Sequence, residues 1–128
     1  MKITVLLLVA SAGLLQWVGA AKAEEWSVLS PNGQVKVSVQ HGTRLSYRVE
    51  QGTEGRRAVV IADSPLGLRL AGQNFIEDLR FEAASPQKQI EDSYTLLHGK
   101  RRECRNQGTQ LTLSFRNRAG QPLELDLR

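Results

Sequence analysis

Polar and apolar residues alternate along most of the chain after residue 26, and this period of two constrains the fold more than any other feature. The clearest runs are QVKVSVQ, RLSYRVE and QLTLSFR, at residues 34–40, 44–50 and 110–116. Because successive side chains of a strand point to opposite faces, each run predicts a β-strand with one buried face. No window after residue 23 shows a sustained helical stripe, so we expect an all-β chain.

Further strands, and the turns between them, are predicted from the local residue pattern. We predict strands at residues 57–62, 66–71, 76–83, 89–97 and 123–127. Glycine allows positive φ and proline presets a turn, so we predict turns at PNG (31–33), HGT (41–43), GTEG (52–55), SPLG (64–67), GQN (72–74), SPQ (85–87), HGK (98–100) and NQG (106–108). Short strands at a spacing of about 8–12 residues are typical of an antiparallel sandwich or barrel.

The N-terminus has the pattern of a secretory signal peptide. A lysine precedes an apolar stretch, and small residues at Ala21 and Ala23 form the A-x-A cleavage pattern. We expect residues 1–23 to be the signal peptide and 24–128 the mature domain, periplasmic or secreted, with no stable membrane span. An uncleaved anchor is the alternative, since a spanning helix needs about 20 apolar residues. Gln16 and the small-residue end favour cleavage.

The net charge and the cysteine count bear on how basic the mature domain is and on what stabilises it. The signal segment carries two of the 17 lysines and arginines and none of the 13 acids, so its removal lowers the net charge from +4 to +2. Part of the apparent basicity therefore belongs to the targeting segment. One cysteine cannot form an internal disulfide. Stability must come from a hydrophobic core or from a partner.

The stretch YTLLHGKRRECRN, at residues 94–106, concentrates basic residues next to a predicted turn. A nucleic-acid surface would need aromatic residues among the cations, and Tyr94 is the nearest, so we expect no nucleic-acid binding. The cations should instead be solvated or paired with nearby acids such as Glu103. Lys100 and Arg101 are the candidates for an interdomain contact, with a carboxylate of a neighbouring domain.

The chain has too few histidines and cysteines for a zinc site, and it lacks the pattern of a cysteine nucleophile with its base. The chain has Cys104, His98 and His41, whereas a structural zinc needs four ligands and a catalytic one usually three. Nucleophilic catalysis by Cys104 would need a positioned base, and no local signature supplies one. We expect Cys104 to be a buried, inert thiol on a strand.

The carboxylates do not mark a hydrolytic pair either. They occur as neighbours or singly, at Glu24-Glu25, Glu77-Asp78, Glu91-Asp92, Glu50, Glu54 and Asp63. Sugar hydrolysis needs two carboxylates facing each other across a cleft, and neighbours on a strand point to opposite faces. The sequence therefore predicts no catalytic, cofactor-binding or metal-ligating residue in this chain.

Several blocks, taken in order, carry a family resemblance over nearly all of the mature chain: WSVLSPNGQVKVSV, LSYRVE, SPLGLRL, YTLLHGKRRECRN, QLTLSF and LELDLR. Together they resemble the N-terminal β-sandwich domain of glycoside hydrolase family 97. The resemblance implies an all-β, antiparallel β-sandwich, a partial supersandwich without the catalytic barrel. Members of that family are exported bacterial α-glucosidases and α-galactosidases with a sandwich, a (β/α)8 barrel and a small C-terminal β-domain.

The resemblance also implies where the chemistry of the whole enzyme lies. The catalytic carboxylates come mainly from the barrel, and full-length relatives hold calcium, which suits all-oxygen ligands, with a ligand from a later part of the sandwich. We therefore expect a non-catalytic fragment whose partners are the barrel and α-linked glycans, with an open sheet edge after Leu127. The alternatives are a stand-alone periplasmic carbohydrate- or protein-binding module, and an active small hydrolase.

Overall fold

The computed structural model describes residues 23–99 and 102–128, and every regular element in them is a β-strand. No helix in these residues is long and apolar enough to span a bilayer. In chain order the strands of this described part are β1 (Glu24–Leu29), β2 (Val35–His41), β3 (Leu45–Thr53), β4 (Arg56–Leu66), β5 (Leu68–Leu70), β6 (Gln73–Phe75), β7 (Arg80–Ala84), β8 (Lys88–Thr95), β9 (Glu103–Arg116) and β10 (Pro122–Leu127).

The first sheet is an antiparallel meander in the order β1-β2-β3-β4. The predicted alternation appears as its buried face: Trp26 pairs with Val39, and Val39 pairs in turn with Tyr47. Val28, Val39 and Leu45 are buried on this face. The first two alternating runs of the sequence are thus confirmed as strands with one face in the core.

The second sheet is built around β9, the 14-residue strand. β10 pairs with its C-terminal half in an unshifted register, from Pro122 opposite Arg116 to Leu127 opposite Leu111. β7 and then β8 pair with it antiparallel along the other edge. Ser85 bridges the gap between them, because its N–H donates to the Thr112 carbonyl (2.8 Å) and its Oγ accepts from the Thr112 N–H (2.9 Å). β7 and β8 therefore act as one interrupted strand.

The apolar faces of the two sheets pack on each other as an antiparallel β-sandwich, which confirms the predicted fold class. Phe115 is fully buried at the centre, with ring centroids 6.0 Å from Trp26 and 5.7 Å from Phe81. The buried core comprises Val28, Val39, Leu45, Phe75, Leu79, Leu111, Leu113, Phe115 and Leu127. The predicted inward faces of residues 110–116 and 123–127 are both part of this core.

The turn predicted at residues 106–108 is wrong, because these residues lie inside β9. Gly108 pairs with Ile90, and its φ is not in the left-handed region. A Cβ built on it would lie 3.4 Å from Cγ1 of Ile90, an ordinary van der Waals distance, so this strand position does not itself require glycine. Pairing along the whole of β8 overrides the local turn preference of glycine.

The bounds of all five further strands differ from the predicted ones, and two of them differ most. The strand predicted at residues 76–83 begins only at Arg80, because Asp78 adopts a left-handed φ of 55° that interrupts extended backbone. The strand predicted at 66–71 is split at Gly67, where β4 ends and the β5–β6 hairpin begins. A Cβ at Gly67 would lie 3.0 Å from Cα and Cγ1 of Ile76, so any larger residue at this position would have to displace Ile76 by a few tenths of an ångström.

Candidate interdomain surface

The N-terminal half of β9 and the whole of β8 form a two-stranded ribbon, which we define as residues 88–95 with residues 103–110. Its register runs unshifted from Lys88 opposite Gln110 to Thr95 opposite Glu103. The Leu96 N–H donates to the Arg102 carbonyl over 2.8 Å where the hairpin closes.

The ribbon is exposed towards its hairpin end, and that end is apolar. Among the described residues between Glu91 and Gln107, every one except the half-buried Cys104 is exposed. Tyr94 is 48% exposed, Leu96 41% and Leu97 92%. We call these three residues the apolar end of the ribbon. Three exposed apolar side chains within four residues make this end a candidate for a protein contact.

One face of the ribbon carries a polar cluster that holds the two strands together. The guanidinium of Arg105 binds the carboxylate of Glu91 through two bonds, with Nε–Oε1 2.6 Å and Nη2–Oε2 2.7 Å, and Gln107 donates to the same carboxylate at 3.2 Å. These hydrogen bonds, from Arg105 first, lower the pKa of Glu91. For Arg105, the expected pairing with a nearby acid is thus made with Glu91 across the ribbon.

The residues singled out in the sequence have the following positions. Lys100, Arg101 and Ala21 lie outside the described residues, so the interdomain contact and the cleavage site stay predictions, and Ala23 is the first residue described. Cys104 lies on β9 opposite Tyr94, as a strand residue. The expectation that it is buried is wrong, since its side chain is only half-buried.

The candidate metal ligands are dispersed. His98 is exposed beside the ribbon loop, whereas His41 ends β2 and its Nε2 lies 2.8 Å from the carbonyl oxygen of Leu79. Within residues 23–99 and 102–128, no three or more histidine, cysteine or acidic side chains gather closely enough to hold a metal ion.

Three of the acids highlighted in the sequence bind arginines at the surface. Arg44 pairs with Glu77, and Arg48 binds Asp63 with Nε–Oδ1 2.9 Å. The hydrogen bond from Arg48 is the main reason that the pKa of Asp63 is lowered, as Arg105 lowers that of Glu91. A glycosidase general acid needs a raised pKa instead. The geometry of these carboxylates supports the surface-charge interpretation.

Tyr94, Leu96 and Leu97 were not singled out as functional residues from sequence, because YTLL was interpreted as part of a strand. A signal was present: Leu96 and Leu97 are adjacent apolar residues that break the alternation immediately before a turn. Consecutive apolar residues at a hairpin end cannot both face one core. That pattern could have identified an exposed apolar site.

Comparison with known proteins agrees with this architecture. The sequence model of the family described as glycosyl-hydrolase 97 N-terminal matches residues 28–128. Among solved structures, a glycoside hydrolase family 97 enzyme from Pseudoalteromonas sp. strain K8, in complex with panose, matches with a TM-score of 0.60 at 19% identity. The match covers 79% of this chain and 15% of that protein, so the chain spans less than a sixth of its length. No curated protein matches the chain. The family match over residues 28–128 shows that this chain belongs to the N-terminal domain family of glycoside hydrolase family 97.

Proposed function

We propose that this chain is a non-catalytic part of the N-terminal sandwich of an exported family 97 hydrolase. In that enzyme it packs on the catalytic barrel and helps to shape the carbohydrate site. The substrates of such an enzyme would be α-glucosides or α-galactosides, and its calcium would be held outside residues 1–128. Membership of the family supports the association with a hydrolase. The signal pattern of residues 1–23 supports export.

The single observation that carries the packing proposal is the apolar end of the ribbon. Leu97 is 92% exposed and lies next to Leu96 and close in sequence to Tyr94, on a hairpin that extends beyond the described core. Burying a leucine side chain contributes on the order of 1.5–3 kcal/mol. A neighbouring domain that covered this end would gain that free energy without any rearrangement of the sandwich.

The polar face of the ribbon supports the same assignment. The Glu91–Arg105 pair and the unshifted register hold the ribbon as a defined two-stranded element. A pre-organised hairpin loses less conformational entropy on docking than a flexible loop would. The ribbon is therefore suited to make a fixed contact with a large domain, with Lys100 and Arg101 close in sequence to supply charge.

The proposed lack of catalysis by the chain alone is supported by the chemistry of two of its carboxylates. Asp63 and Glu91 are engaged by arginines and have lowered pKa values, whereas a glycoside hydrolase needs a protonated acid and a second carboxylate across a cleft. We expect the 128-residue chain to release no nitrophenol from nitrophenyl α-glucoside or α-galactoside in calcium. Release of either product would contradict the proposal.

The packing proposal is tested on the longer polypeptide encoded by the reading frame that runs through Arg128. Leu97→Asp should weaken the contact and lower the temperature of barrel unfolding and the rate of α-glucoside or α-galactoside hydrolysis. The matched control is Val60→Asp, a change of the same type at a residue 59% exposed on β4. We expect it to leave both quantities unchanged.

Two results would overturn the packing proposal. One is a stop codon directly after Arg128 together with saturable maltooligosaccharide binding by the cooperatively folded chain, which would support the stand-alone carbohydrate-binding module. The other is an equal effect of Leu97→Asp and Val60→Asp, which would show that the apolar end makes no specific contact with the barrel.

A further inference from the structure

The turn between β1 and β2, residues 30–34, contains the chain's single asparagine–glycine pair, Asn32 and Gly33. Because glycine has no side chain, nothing shields the backbone nitrogen that follows Asn32. In an unfolded chain this nitrogen attacks the side-chain amide carbon of the asparagine, which is the first step of deamidation. The other three asparagines, at positions 74, 106 and 117, precede phenylalanine, glutamine and arginine, whose bulk hinders the same attack.

In the folded turn, hydrogen bonds hold both reacting groups. The Gly33 N–H donates to the Ser30 carbonyl over 2.8 Å. Oδ1 of Asn32 accepts from the Ser30 hydroxyl (2.7 Å) and from the Gln34 N–H (3.1 Å). Attack requires the Gly33 nitrogen to lose its proton and to approach Cγ of Asn32. The bond at the nitrogen opposes the first of these changes, and the two bonds at Oδ1 oppose the second.

Contacts with β3 and β4 hold the turn closed. Nη2 of Arg57 on β4 donates to the Gly33 carbonyl over 3.2 Å. The Gly52 N–H on β3 donates to the Gln34 carbonyl over 2.8 Å. Opening the turn therefore breaks bonds to two further strands as well as its own, so it costs more than the opening of a free loop.

We propose that Asn32 is a deamidation site that the native turn protects, and that the fold distinguishes between its two products. In the unfolded chain the Gly33 nitrogen bonds to Cγ of Asn32, the Cγ–Nδ2 bond breaks, and Nδ2 leaves as ammonia with the proton of the Gly33 nitrogen. Water then opens the cyclic imide at one of its two carbonyls. Breaking the bond from the nitrogen to Cγ gives aspartate at position 32, and breaking its bond to the backbone carbon gives isoaspartate.

The turn accepts aspartate and excludes isoaspartate. The hydroxyl of Ser30 and the N–H of Gln34 both donate to the side-chain oxygen at position 32, so a carboxylate accepts the same two bonds, and its charge strengthens them. The guanidinium of Arg57 beside the turn favours that charge further. Isoaspartate instead runs the main chain through Cβ and Cγ. The added carbon lengthens the turn and disrupts the unshifted register of β1 on β2.

The test uses the whole chain, incubated in buffer at neutral pH and, in parallel, unfolded in the same buffer with guanidinium chloride. Mass spectrometry of the tryptic peptide that ends at Lys36 measures aspartate and isoaspartate at position 32. Because a protected site reacts only through opening, we expect deamidation to be about tenfold or more slower in the folded chain. Ser30→Ala should speed the reaction in the folded chain and leave the unfolded rate unchanged. Ser93→Ala, at an exposed serine on β8, is the matched control and should change neither rate.

Refolding tests the distinction between the products. When the unfolded chain has deamidated and is returned to buffer, the fraction that regains the native circular dichroism spectrum should contain aspartate at position 32 and be depleted of isoaspartate. Asn32→Asp should unfold at a temperature no lower than that of the unmodified chain. Equal deamidation rates in the folded and unfolded chains would overturn the protection. Isoaspartate at the same proportion in the refolded fraction as in the unfolded chain would overturn the distinction.

Discussion

Nε2 of His41 donates a hydrogen bond to the carbonyl oxygen of Leu79 over 2.8 Å, which joins the end of β2 to the segment that enters β7. A carbonyl oxygen only accepts, so this bond places the proton on Nε2. The imidazole also packs edge-on against Phe115, with ring centroids 5.4 Å apart. A residue considered as a metal ligand from sequence therefore links the two sheets.

His41→Phe should destabilise the domain by about 1–3 kcal/mol, because the new ring keeps the aromatic contact but cannot donate to the Leu79 carbonyl. Leu79 is only 8% exposed, so water replaces the lost donor poorly. Urea unfolding followed by circular dichroism measures the change. His98→Phe is the matched control at an exposed position, expected within about 0.5 kcal/mol of the unmodified chain. Equal losses for the two variants would show that the hydrogen bond is not the cause.

Phe115→Ala should cost about 3–5 kcal/mol of unfolding free energy, because it removes a fully buried ring at the centre of the core. Trp26 and Phe81 would lose their edge contacts with that ring. Since a small domain has about 5–15 kcal/mol of stability in total, we expect a large drop in the denaturation midpoint. Val60→Ala, at an exposed site, should shift the midpoint little. A drop below about 1 kcal/mol for Phe115→Ala would place the core elsewhere.

Gly108→Ala should stabilise the chain by about 0.4–1 kcal/mol, because it restricts the unfolded chain at a position whose backbone any residue adopts. The added methyl group meets Ile90 at 3.4 Å, an ordinary van der Waals contact. Gly52→Ala is the contrasting variant: its φ is +126° and its Cβ would lie 2.2 Å from the Arg56 carbonyl oxygen. Thermal unfolding should rank Gly108→Ala above the unmodified chain and Gly52→Ala below it. The reverse order would favour a turn at 106–108.

The Glu91–Arg105 pair should make the ribbon sensitive to acid. Hydrogen bonds from Arg105 lower the pKa of Glu91, so the folded state binds the proton less tightly than the unfolded state. The pair therefore contributes stability above the unfolded-state pKa of about 4.3. That contribution is lost as the pH falls through the lower folded-state value. Because both groups are exposed, we expect the effect to be local to the ribbon.

Carbon-13 NMR titration of the Glu91 carboxyl group measures this directly. In Arg105→Ala the pKa of Glu91 should rise towards the ordinary glutamate value, and exchange of the β8 amides should become faster. Arg102→Ala, directly before β9, is the control and should leave the titration of Glu91 unchanged. A Glu91 pKa that does not respond to Arg105→Ala would contradict the pairing.

Sequence reasoning located most strands but could not establish their bounds or partners. The alternation at residues 110–116 predicted the buried face of Leu111, Leu113 and Phe115. The same reasoning placed a turn at 106–108, because glycine beside polar residues is a local turn signal. The pairing of Gly108 with Ile90, 18 positions earlier in the chain, overrides that signal.

Only part of the candidate interdomain surface could be predicted from the sequence. The basic residues near the hairpin end could be identified from composition, but Glu91 as the partner of Arg105 follows from the register of β8 on β9. Likewise, Arg57 on β4 donates to the Gly33 carbonyl in the turn between β1 and β2. No local pattern relates those residues.

The sequence by itself determined the all-β class, the inward faces of β2, β3, β10 and the C-terminal half of β9, and the family, because alternation and motif order are properties of neighbouring residues. Only the tertiary structure decided that β7 and β8 share one edge of β9 and that Glu91 binds Arg105. The physical reason is that register, edges and ion pairs arise from contacts between residues far apart in the chain, whose geometry no local pattern specifies.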